Sequence, residues 1–171
     1  MSESVQKKGF SYFRIITGML SRPATFLSSG LSDQDITTPV FFLLISAVFF
    51  VSASLTVIKG NIVLSAGILT VNALVMPLIT AAISLCFIRM FTGGSVSFIR
   101  IFSIHAFAAG TVLLAAWIPM IIWITEPWKW ILIITGYVKG CNMTYLQAVI
   151  ISALTAVFII YGFHFLTNII S

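Results

Sequence analysis

The sequence predicts an all-α fold: a polytopic membrane helix bundle of about five transmembrane helices, with an N-terminal interfacial amphipathic helix. Three observations carry this. Of 171 residues, 60% are hydrophobic and only 8% are charged, against about 25% charged in a soluble domain. The mean hydropathy is +1.14, so polar groups are too few to coat a water-facing surface. The apolar residues also gather into runs of about 20, the length needed to cross roughly 30 Å of hydrocarbon. A chain of this length makes one bundle.

The chain divides into residues 1–38, a cytoplasmic tail with an interfacial helix and a polar linker, and residues 39–171, the transmembrane bundle. Residues 1–9 are polar. Phe10 to Leu20 (FSYFRIITGML) is too short to cross. Its apolar residues Phe10, Phe13, Ile16 and Leu20 fall three and four apart, while Lys8, Ser11 and Arg14 lie elsewhere on the wheel. That is the pattern of a helix lying in the membrane interface. Lys7 and Lys8 precede it, but Arg14 interrupts it and no small-residue cleavage site follows. The segment is therefore not read as a signal peptide and is expected to stay uncleaved. Ser21-Arg22-Pro23 ends the helix, because proline disfavours helix in the residue before it. Residues 28–38 form a polar loop in which Asp33 and Asp35 are solvated.

The first span is Pro39 to Ile58, without a charge, and a proline is tolerated at a helix start. Lys59-Gly60-Asn61 makes a tight turn. The second span, Ile62 to about Phe91, is long enough to tilt or kink, with Pro77 as the kink. Arg89 and Arg100 flank the loop Thr92-Gly93-Gly94-Ser95. The third span runs from about Ile101 to Ile124 with an internal Pro119, and Glu126-Pro127 turns the chain. Trp128 to Val138 is only eleven residues. It either crosses, from a start near Pro119 or through a thin bilayer, or re-enters the same side. The last span is about Leu146 to Ile170, after Lys139-Gly140-Cys141-Asn142.

Orientation follows from the basic residues, which gather on the cytoplasmic side. With five crossings, Lys7, Lys8, Arg14, Arg22, Arg89, Arg100 and Lys139 lie inside, and Lys59 and Lys129 outside. The re-entrant alternative moves Lys139 outside, so the rule favours five crossings. Trp117, Trp123, Trp128 and Trp130 cluster about Glu126 and place that turn at the outer interface. The net charge of +5 is thus read as orientation. The basic residues are scattered without an aromatic stripe, so no nucleic-acid partner is expected.

Ionisable groups inside a membrane are functional candidates. Here His105 lies in the third span and His164 near the end of the last. A histidine pair can hold a haem or metal, but in the five-span arrangement the two lie near opposite faces. The plain reading is two interface histidines bonded to water or backbone. Tyr161, His164 and Asn168 share one helix face, a small polar site or a face packed against neighbours. Asn72 and Ser65 share another, and a buried asparagine commonly holds membrane helices together. Ala148, Ser152 and Ala156 form one small-residue stripe, and Ala106 with Gly110 a second; both favour close helix packing, within the chain or between chains.

No carboxylate lies within a span, which argues against a proton-coupled carboxylate relay. No Walker loop, GxSxG, HExxH or CxxC occurs. Cys86 and Cys141 lack metal-site spacing and are read as structural. No catalytic residue, metal site or cofactor is expected, and the chain is read as non-enzymatic.

The organisation resembles the Yip domain family, the Ypt/Rab-interacting membrane proteins and their bacterial relatives. The resemblance rests on Arg22-Pro23 followed by Ala24-Thr25-Phe26-Leu27, a polar linker, the span begun by Pro39, a Gly-Gly-Ser turn before Phe98, Ile101 and Phe102, and Lys139 to Ala148 introducing the last span. It covers about Phe10 to Ile170. It implies a five-helix bundle with a cytoplasmic N-terminus, and no catalytic residues. The family's Rab-type partners are not carried over, because the N-terminal region offers no obvious docking platform. The bacterial inner membrane is the favoured location, a eukaryotic endomembrane the alternative. The expected function is a scaffold, accessory subunit or membrane-organising factor acting through helix packing. Its partners would be the lipid bilayer and other membrane proteins or a homo-oligomer. The alternative is a small transport or channel-like element, which a cavity lined by Asn72, Ser65 and His105 would favour. A haem- or quinone-associated subunit is the weakest option.

Overall fold

The computed structural model describes residues 11–29, 31, 33–58, 60–94 and 96–170. Phe10 of the expected stripe, Lys7 and Lys8 of the orientation argument, and Lys59 and Ser95 of the turns lie outside them. The fold is all-helical, without strands among the described residues. Seven helices follow one another: α1 (Tyr12–Ser21), α2 (Pro23–Ser29), α3 (Thr37–Ser54), α4 (Ile62–Thr92), α5 (Phe98–Ala116), α6 (Ile122–Gly140) and α7 (Tyr145–Ile170). Helices α3, α4, α5 and α7 are long and apolar enough to cross a membrane, which fits a multi-pass membrane protein.

Short connections make consecutive helices antiparallel neighbours. The bundle therefore has a basic end, near Arg89, Arg100 and Lys139, and a tryptophan end, around the α5–α6 turn. Helix α5 is the centre: residues 101–108 and 110–112 are all buried. It packs on α1, α3, α4 and α6, while α7 leans on α4 and α6. Close approach is local and depends on glycine. A Cβ on Gly110 would lie 2.6 Å from the Phe42 ring of α3, and one on Gly136 2.5 Å from Ile104.

The termini of the elements explain their lengths. Asn61 caps α4 by accepting from the Leu64 amide at 3.1 Å, and Gly93 ends it in the left-handed region at φ 62°. Ser97 caps α5 through the Ile99 amide. Thr144 and Gln147 cap α7 reciprocally, each side chain accepting from the other's amide. Asp35 accepts from the Thr37 and Thr38 amides at the start of α3. The hydroxyl of Thr38, donating to it, holds its carboxyl below the ordinary carboxylate range.

Four expectations are corrected. The third span ends at Ala116, not Ile124. Pro119 is not inside a helix but in a run of tight turns, Ile118 to Ala115 and Ile121 to Ile118. Glu126-Pro127 is not a turn but part of α6. The proline there removes the amide that would bond the Trp123 carbonyl one turn back. Asp33 is not simply solvated: Arg100 donates to it from Nε at 2.9 Å and Nη2 at 2.7 Å, and from Nη1 to the Gly140 carbonyl at 2.8 Å. This fork ties the linker to the starts and ends of α5 and α6.

The N-terminal segment is helical, and a second short helix, α2, follows it. Helix α1 splits its apolar arc. Ile15 and Met19 are buried in the common core, while Phe13 (79% exposed) and Leu20 face outward. Tyr12 stacks on Phe42 and bonds Ser46 at 2.9 Å. Phe26 of α2 meets Phe107 edge-on, and Leu27 is fully buried.

Candidate functional site

A cavity of about 440 Å³ lies among α4, α5, α6 and α7, with Phe50 of α3 also bordering it. That is within the usual range for small-molecule sites, which favour gaps between bundle helices. On α5 it is bordered from His105 to Ala116 and on α6 from Ile122 to Ile133, so it runs about 16 Å from the tryptophan end toward the interior. Its end is open, since Asn72 and Ile122 are exposed there. The wall is largely apolar, with Met76, Val112, Leu113 and Ile159 among its residues.

Its floor is a closed polar chain. His105 is 2% exposed. Its Nδ1 lies 3.2 Å from Thr80 Oγ1 and its Nε2 2.8 Å from Tyr137 Oη. Thr80 Oγ1 already donates to the Met76 carbonyl at 2.8 Å. The threonine oxygen therefore accepts from His105 Nδ1–H, and Nε2 accepts from the tyrosine hydroxyl. Both ring nitrogens are thus used within the protein, which is a poor arrangement for an axial haem ligand.

Its α6 wall carries charge. Glu126 and Lys129 both border the cavity and form an ion pair at 2.5 Å. The Lys129 ammonium also stands 5.9 Å from the Trp130 ring centroid. On the α4 side, Pro77 lacks the amide that would bond the Ala73 carbonyl, and both residues border the cavity.

The sequence-derived candidates fall in different places. His105 and Asn72 border the cavity, as does Ala156. Ser65 is not among its lining residues. Tyr161, His164 and Asn168 lie on exposed positions of α7, away from that lining. Ala106, Gly110, Ala148 and Ser152 are buried, with the Ser152 hydroxyl unpartnered among the described residues. Burial of Cys141 pushes its thiol up to about 11, so it is not a ready nucleophile. No group of three or more metal-ligating side chains occurs among the described residues. Sequence reasoning passed over Thr80, Tyr137, Glu126 and Lys129. The spacing of Glu126 and Lys129, one helical turn apart, was the available clue.

Fold and cavity together define the class: an all-helical chain fitted to a membrane, with an internal cavity reaching one end of the bundle. Comparison with family models, curated proteins and solved structures finds no match to the chain.

Proposed function

We propose that the chain is a five-crossing, non-enzymatic membrane protein, organised like the Yip domain family, that binds a membrane-soluble small molecule as a transport or carrier element. The observation that carries this is the cavity bordered by Asn72, His105, Glu126 and Lys129. A scaffold needs no such space. The kink expected at Pro77 stands beside it, which suits a helix that must adjust around a guest. Helix α6 spans 19 residues, about 28 Å, and supplies the fifth crossing. The basic end then faces the cytoplasm and the cavity opens outward.

A scaffold remains the second reading on one observation. The first turns of α4 expose Ile62, Val63, Leu64, Ile68 and Val71, an apolar face for lipid or another membrane protein. The stripe at Ala148 and Ser152 does not serve it, because both are buried within the chain.

The test fills the cavity. Ala109→Phe and Ala156→Phe each place a ring into it from α5 or α7. Wild-type protein extracted in native lipid should carry a co-purifying small molecule in native mass spectrometry, and both variants should lose it while melting normally. Equal retention in all three proteins would sink the binding reading in favour of the scaffold.

A further inference from the structure

We infer that the outward side of α1 docks on the lipid leaflet at the basic end of the bundle and selects anionic phospholipids there, with Phe13 and Leu20 among the acyl chains and Arg14 and Arg22 on headgroup phosphates. This surface lies apart from the cavity and stands whether or not the cavity holds a guest.

Helix α1 has two apolar faces, and the fold uses only one. Ile15 and Met19 are buried in the common core, which fixes how the helix is rolled. Tyr12 holds its start on α3 through Phe42 and Ser46, and Phe26 of α2 lies against Gly18 near its end. With that face turned inward, the helical step of about 100° per residue places the others. Phe13 and Leu20 share one outward edge, and Arg14 and Ser21 the next edge round. Phe13 is 79% exposed and Leu20 55%. Large apolar side chains held outward in this way are favoured in hydrocarbon and disfavoured in water.

The neighbouring edge carries charge that the fold does not answer. Asp33 pairs with Arg100 and Glu126 with Lys129, while Asp35 accepts from Thr37 and Thr38. Arg14 and Arg22 are exposed and have no carboxylate partner among the described residues. They are eight positions apart, about 12 Å along a helix, enough to reach two neighbouring headgroups. Their level in the bundle is fixed by contacts. Leu27 of α2 lies against Gly140 at the end of α6, and Asp33 of the linker holds Arg100 at the start of α5. Arg89 and Lys139, also exposed, belong to the same end. An acidic protein segment would answer the arginines alone. A leaflet answers both edges, because hydrocarbon and phosphate lie side by side at its boundary, as the two edges of α1 do. The unanswered positive charge makes an anionic leaflet the better match.

The experiment reads lipid contact at α1 itself. Thr17→Cys, on the outward side of α1, is made with Cys86 and Cys141 replaced by alanine and labelled with a benzophenone. The full chain is reconstituted in nanodiscs of equal phosphatidylglycerol and phosphatidylcholine with matched chains, irradiated, and its captured lipid identified by mass. Each arginine near an anionic surface favours it about fivefold. Phosphatidylglycerol should therefore be captured in at least about fivefold excess, and Arg14→Gln with Arg22→Gln should bring capture close to parity. The same label at Phe158→Cys, on α7, which carries no lysine or arginine, should capture both lipids equally. Equal capture at position 17 would overturn the anionic selectivity. Failure to capture any lipid there would overturn the docking and leave that side of α1 to water or an acidic protein. The comparison of positions 17 and 158 decides even where an arginine variant fails to fold.

Discussion

A histidine among apolar helices is tolerated here because both of its nitrogens find hydroxyl partners. The Tyr137 hydroxyl donates to His105 Nε2, and the tyrosine itself is completely buried. Tyr137→Phe keeps the ring and deletes that donor. It should destabilise the fold by about 1–3 kcal/mol, the usual cost of stranding a buried polar atom. Denaturant unfolding in detergent measures this, and an unchanged midpoint would mean that the bond contributes nothing. His105 was legible as a candidate because ionisable groups are rare in such helices. Its partners were not. A threonine beside a proline and a tyrosine near a helix end have no periodicity that marks them as reaching a residue 25 or 32 positions away. Asn72 and Ser65 share a helical face, but they are two turns apart, and only Asn72 borders the cavity. A shared face does not mean a shared depth.

Elements were legible wherever length and hydrophobicity alone decide them. The helix starting at Ile62 and the one beginning beside Leu146 came within a residue or two of α4 and α7. The reading that ran the third span to Ile124 and turned the chain at Glu126-Pro127 failed for a physical reason, whereas the alternative of a helix starting near Pro119 lies three residues from the observed start at Ile122. Proline near a helix start costs little, so each of two prolines eight apart is an equally good boundary marker on sequence grounds. Helix α6 starts at Ile122 and packs against α2, α5 and α7. The capping box at Thr144 and Gln147 could have been read from its spacing. The same scale holds the packing of α3 on α5. Gly110 lies under Phe42 and Ser46 with no room for even a methyl group. Gly110→Leu should force the helices apart and destabilise by about 1–3 kcal/mol or more, as overpacking does. Gly67 has open space around it, so Gly67→Leu should leave the melting temperature nearly unchanged. Equal effects of the two substitutions would refute close packing as the cause.

At the scale of the whole molecule the question is which end faces the cytoplasm and how often the chain crosses. Four helices qualify as spans by length and composition. Helix α6 is not among them: it carries Glu126 in its second turn, Lys129 close to its middle and Lys139 at its last turn. A crossing by α6 would need the long Lys129 side chain, paired with Glu126, to extend along the helix toward the headgroups. Its neighbours α5 and α7 run antiparallel to it through short connections, so a crossing by both leaves it no simple path except through the same layer. Crossing also returns Lys139 to the end that holds Arg89 and Arg100, as the positive-inside rule requires. A single cysteine placed at Ser171, with Cys86 and Cys141 replaced by alanine, reads out the result. An impermeant maleimide applied to intact cells should label Ser171→Cys. A cysteine at Thr92, the last residue of α4 and close to Arg89, should label only after the membrane is opened. Labelling of both positions from the same side would require an even count between them. That would remove α6 from the crossing helices.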